Sequence, residues 1–233
     1  MAINSVFAKP YLNGWKLFWV VTSVVSAFTL VTMTTVNLAV ATDISYMIQY
    51  TVRWSVPWLY LAFMASSLQV IYPSLFSRWL ARNRKYFGLC FASAMAWQLL
   101  FILWMVGLHS EYYAEEVYNL SDTIEGVGGY LVLSAMVLTS FPFGRNRLTV
   151  LQWRYLHKFG MYYLWGYAWS VYWYELYYFD GQLHPIDYAF YWIGFFAWGL
   201  RIWAWSKKGL KKAAVQKPAN QTTRQPANES TSY

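Results

Sequence analysis

ARNRKYFGLCFASAMAWQLLFILWMVGLHSEYYAEE, residues 81–116, decides how this chain is read. From Tyr86 to Leu108 it contains no Asp, Glu, Lys or Arg. A helix rises about 1.5 Å per residue, so that uncharged run covers the roughly 30 Å hydrocarbon core of a bilayer. Arg82, Arg84 and Lys85 stand at one end of it, and Glu111, Glu115 and Glu116 at the other. Lys and Arg are retained on the cytoplasmic side, so the stretch is an oriented membrane span.

Outward from this span, five further apolar stretches follow the same logic: Trp15–Val40, Val56–Tyr72, Ile124–Phe143, Val150–Tyr174 and Ile186–Trp205. The Val56–Tyr72 stretch is short and has Pro57 near its start, where a missing N–H costs little. Ser140-Phe141-Pro142 is a natural stop for the fourth stretch. Ala39-Val40-Ala41 has the outline of a signal-peptide cleavage site. The apolar run before it exceeds the roughly 7–15 residues of a signal peptide, so an uncleaved helix is expected.

Threading six spans through a bilayer sorts the charges. Lys9 and Lys16, the group Arg78, Arg82, Arg84 and Lys85, and the group Arg145, Arg147, Arg154 and Lys158 all fall on one side. Arg201, Lys207, Lys208, Lys211, Lys212, Lys217 and Arg224 join them. The opposite side holds Asp43, Glu111, Glu115, Glu116, Asp122, Glu125, Glu175, Asp180 and Asp187, with Arg53 the lone base. A miscounted helix would scramble this partition. The expected fold is therefore an all-α membrane protein, a bundle of six transmembrane helices with N and C termini cytoplasmic.

Composition agrees. Of 233 residues, 58% are hydrophobic and 12% charged, where a soluble domain carries about a quarter charged residues. The 15 Trp and 21 Tyr suit a membrane interface, apolar on one edge and wet on the other. The net charge of +8 comes from bases set between apolar stretches, so it orients the chain in lipid and does not point to nucleic acid. Cys90 is the single cysteine, which rules out an internal disulfide and a thiolate metal site. No Gly-rich phosphate loop, pair of catalytic carboxylates or His-x-x-x-His spacing appears. Ionisable residues inside the spans are too few for an ion-coupled pump. His157 is the one imidazole within a spanning stretch.

Residues 1–205 form the expected transmembrane domain, and 206–233 a cytoplasmic tail. Lys207-Lys208-Gly209-Leu210-Lys211-Lys212 suits an anionic lipid surface, at about 1 kcal/mol per charge. The rest of the tail is rich in Gln, Thr, Asn, Pro and Ser and is expected to be disordered.

Several local motifs occur in order along the chain. Arg53-Trp54-Ser55 opens the second stretch and Pro73 closes it. Arg84-Lys85-Tyr86-Phe87-Gly88-Leu89 leads into the third, Leu138-Thr139-Ser140 ends the fourth, and Trp153-Arg154-Tyr155-Leu156-His157-Lys158 heads the fifth. Together, over Arg53–Trp173, they resemble the ferric-reductase-like transmembrane family of NADPH oxidases, ferric reductases and the bacterial haem subunit of methionine sulfoxide reductase. The resemblance implies electron transfer through haem b, held by histidine pairs between the third and fifth helices, and a bacterial inner membrane. His157 matches the first ligand of the fifth helix. Its partner position, ten residues after Gly88, is Gln98. The outer pair falls near Tyr112 and at Ser170, and His109 and His184 lie elsewhere on the outer side.

The chain is thus expected to hold at most one haem b, with His157 as the iron ligand and Gln98 beside the cofactor, or to have lost haem altogether. The first case is a membrane electron-transfer component, fed by quinone or by another membrane or extracytoplasmic redox protein, since no flavin or nicotinamide domain follows the sixth stretch. The second is a haemless structural or assembly subunit of a membrane complex.

Overall fold

The computed structural model describes Lys9, residues 12–178 and residues 184–222, with Glu116, Val117, Asp122 and residues 211–222 as backbone alone. Every regular element among the described residues is helical. The six apolar stretches correspond one to one with long helices: α1 Gly14–Met33, α2 Ala41–Ile71, α3 Leu75–Leu108, α4 Leu120–Leu138, α5 Val150–Tyr177 and α6 Pro185–Thr222. A helical turn at Ser110–Tyr112 and a π-helical segment at Tyr113–Val117 join α3 to α4, and a short helix at Pro142–Arg145 follows α4.

Of the described helices, α1, α2 and α3 are each long and apolar enough to cross a membrane, and Thr123–Leu138 within α4 is a shorter apolar helix. In α5 and α6 the long stretches are built from Trp and Tyr, whose polar edges lower their hydropathy although most of each ring is apolar. The outward faces match a lipid solvent. Trp19, Val31, Leu103, Leu131, Phe196 and Trp205 all present more than half their surface, an apolar exterior far beyond a soluble monomer's usual patches.

Helix α2 is the spine. It packs along α3 and against α6, while α1 packs on α3 and α5 joins α4 to α6. Leu59, Tyr60 and Phe63 of α2 meet Phe87 and Phe91 of α3, Leu133 of α4, Met161 and Leu164 of α5 and Ala197 of α6 in one buried core. Gly160 favours close approach between α4 and α5, since a Cβ there would force the Met136 and Val132 side chains to shift.

Helix α3 starts earlier than its apolar run suggests, because capping rather than hydropathy sets the start. Ser74 and Ser77 make reciprocal side-chain-to-backbone bonds and begin α3 at Leu75. Thr149 and Gln152 do the same for α5. The early start of α2 at Ala41 moves Pro57 from a first turn into the helix interior. There it removes the N–H that would bond the Arg53 carbonyl, a loss interior helices in membranes accommodate. Helix α6 runs past Trp205 through the basic cluster to Thr222. Extending a helix already anchored in a bundle costs less than nucleating one. Residues 223–233 of the expected disordered tail lie outside the described residues, as does Asp180.

At the end of the bundle opposite the basic loops, the lone base finds a partner. Arg53 Nε donates to Asp187 Oδ1 at 3.3 Å and Nη2 to Oδ2 at 3.2 Å. Asp187 is buried and also accepts from the His184 backbone N–H at 3.1 Å. The pair ties α2 to the first turn of α6.

Candidate functional site

A cavity of about 530 Å³ opens at the basic end of the bundle, among α2, α3, α4, α5 and α6. Its inner wall is apolar, with Leu59, Ala62, Leu89, Leu133, Met136 and Leu164. Its remaining wall carries His157 and six cations: Arg84, Lys85, Arg145, Arg154, Lys158 and Arg201. Among the described residues, no Asp or Glu lines it.

Three of the cations are held by neutral groups. Arg84 Nε donates to the Ala62 carbonyl at 3.1 Å. Arg201 donates from Nη1 to the Phe63 carbonyl and from Nε to the Tyr162 hydroxyl, both at 3.0 Å. Its guanidinium lies over the rings of Phe63, at 4.4 Å, and Tyr162, at 4.6 Å. Arg145 donates to the Leu148 carbonyl at 2.9 Å and stands 5.2 Å from the Trp153 ring. Carbonyl dipoles and ring faces fix these side chains in place but cancel no charge. The salt bridge found among the described residues, Arg53–Asp187, is at the other end of the bundle.

His157 sits in a latch between α5 and the end of α4. The Trp153 ring packs on the imidazole with centroids 4.5 Å apart, and Trp153 Nε1 donates to the Thr139 carbonyl at 3.1 Å. His157 Nε2 lies 3.0 Å from Thr139 Oγ1. A threonine hydroxyl has one proton to give, and that of Thr139 goes to the Ala135 carbonyl at 2.7 Å. With that proton on the Ala135 carbonyl, the hydroxyl oxygen is free to accept from the Nε2–H tautomer of His157.

No family model, curated protein or solved structure matches this chain. The resemblance to ferric-reductase-like domains rests on sequence motifs alone. The latch joins two of those motifs, Leu138-Thr139-Ser140 and Trp153–Lys158. Gln98 is not among the residues lining the cavity that holds His157. Its carboxamide oxygen accepts from the Tyr130 hydroxyl at 2.9 Å, which ties α3 to α4. Ser170 donates back to the Tyr167 carbonyl, and Tyr112 packs in a separate apolar cluster with Phe101 and Met105. His109 caps the end of α3, and His184 stands before α6. The four positions that would hold a pair of bis-histidine haems therefore present one imidazole to the cavity, with Nε2 already engaged. This donor set does not fit that pair. Among the described residues no group of three or more His, Cys, Asp or Glu is placed to hold a metal ion.

Sequence reasoning used Arg145 and Arg201 for orientation, and Arg84 for orientation and for the motif leading into the third span, and missed that the three converge. One signal was available: these bases flank three different spans at the same end, and no acid accompanies them.

Proposed function

We propose that this chain is a six-span membrane protein of the bacterial inner membrane, with both termini in the cytoplasm. In our reading it serves without haem, as a structural or assembly component of a membrane complex on a ferric-reductase-like helix plan. One observation carries the haem-free reading: His157 Nε2, the nitrogen an iron would need, is taken up in a 3.0 Å contact with Thr139 Oγ1. Gln98, the counterpart position, accepts from the Tyr130 hydroxyl, so both would-be ligands act as ties between helices. Interhelical bonds of this kind are worth roughly 1 kcal/mol each in membranes.

The electron-transfer reading, with one haem at His157, has one observation in its favour. His157 lines a cavity whose apolar wall and basic rim suit a macrocycle bearing carboxylates. An absorption spectrum of the purified protein separates the two. The haem-free reading expects no Soret band. A stoichiometric Soret band lost in His157→Ala would replace it with the electron-transfer reading. Topology is tested separately. Reporters fused at Met1 and Tyr233 are expected in the cytoplasm and one at Glu115 outside; an external C-terminal reporter sinks the six-span arrangement.

A further inference from the structure

A second cavity, of about 670 Å³, adjoins the cationic one. It is an apolar groove between α1, α3 and α4, walled by residues such as Trp15, Phe18, Ala96, Leu99 and Phe141. Leu89, Leu133 and Val137 line both cavities. Lys85 marks the junction. It lines the cationic cavity, while its Nζ stands 5.7 Å from the Trp15 ring and 5.3 Å from the Phe141 ring, both walls of the groove. A charged compartment and an apolar one thus meet along a shared wall.

Among the described residues, the charged compartment gathers six cations and no carboxylate. Arg84, Arg145 and Arg201 are half-buried, where water screens their mutual repulsion less than at an open surface. An anion from outside the chain would relieve that repulsion, and several guanidinium forks favour a phosphate. The apolar groove next to it asks for a long hydrocarbon body on the same molecule.

We propose that the two cavities form one site for an anionic phospholipid from the cytoplasmic leaflet. Its phosphate lies among Arg84, Arg145, Arg154, Lys158 and Arg201, and one acyl chain runs past Leu89, Leu133 and Val137 into the groove. The proposal rests on the reading that these helices span the bilayer with the basic end cytoplasmic. It gives an assembly component a defined lipid contact that couples α1, α3 and α4 to α5.

The test uses the full chain in a neutral maltoside detergent, with binding followed by native mass spectrometry and by Tm. The probes are phosphatidylglycerol, phosphatidylcholine and inorganic phosphate. Phosphatidylglycerol is expected to bind one-to-one and raise Tm, and phosphatidylcholine to do neither. Arg154 and Lys158 are exposed, so the fold tolerates Arg154→Gln with Lys158→Gln. That double variant should bind phosphatidylglycerol about thirtyfold more weakly, the effect of two charges at ~1 kcal/mol each. Ser134→Trp, at an exposed position in the groove, should weaken phosphatidylglycerol and leave inorganic phosphate unaffected.

Equal binding of the two lipids overturns the proposal. So does full displacement of phosphatidylglycerol by inorganic phosphate with no effect of Ser134→Trp, which would make this a soluble-anion pocket. Haem found in the cavity overturns it together with the haem-free reading. Neither haem nor lipid overturns it alone, and reporter fusions score the topology independently.

Discussion

Removing the guanidinium of Arg53 is expected to destabilise this protein more than neutralising its partner. Asp187 is 1% exposed, and its two oxygens take two bonds from Arg53 and one from the His184 N–H. Arg53→Met leaves the carboxylate buried with the single backbone donor. Breaking a buried pair in that direction costs about 3–5 kcal/mol. The reverse change is milder, because the Arg53 side chain is 23% exposed and water reaches it. Asp187→Asn also keeps an oxygen for His184, so its cost should be about 1–2 kcal/mol. The double variant should cost less than Arg53→Met alone, with a coupling of about 2–3 kcal/mol. Unfolding by SDS titration in mixed micelles, followed by tryptophan fluorescence, measures all three. Additivity within about 0.5 kcal/mol would refute the reasoning, because two independent sites behave that way.

Three further outcomes follow from the same geometry. Thr139→Val keeps the shape but leaves His157 Nε2 without its hydrogen-bond partner, and should lower stability by about 1–3 kcal/mol in the same titration. Thr139→Ser should lose much less, and equal losses would argue against the hydrogen bond. Gly144→Ala would drive a Cβ into the Leu138 carbonyl at the end of α4, where backbone must move. A cost of about 1–3 kcal/mol is expected, and a neutral result by thermal melt would count against this turn. Deleting the residues after Pro218 should leave the yield of membrane-inserted protein unchanged, because that polar segment has no apolar face to bury; a lower yield in membrane fractions would contradict it.

The sequence by itself determined the helices and their grade of apolarity. The uncharged run Tyr86–Leu108 falls wholly within α3, and each of the other five stretches has its own long helix. These are sums over consecutive residues, so they can be read without knowing what touches what. The sorting of Arg53 with Asp187 was legible for the same reason, and the structure then brought the two into contact. Rotation of each helix about its axis was not legible. Most faces of a lipid-facing helix are apolar, so polarity hardly marks which side turns inward. That phase decides whether Gln98 meets His157 or Tyr130, and whether the Thr139 hydroxyl reaches an imidazole eighteen residues away in the chain. It also decides that Arg84, Arg145 and Arg201, from different segments, line one cavity. Only the tertiary structure holds that information, because relative rotation and depth of neighbouring helices are set by side chains packing across the interface, such as Gly160 against Met136.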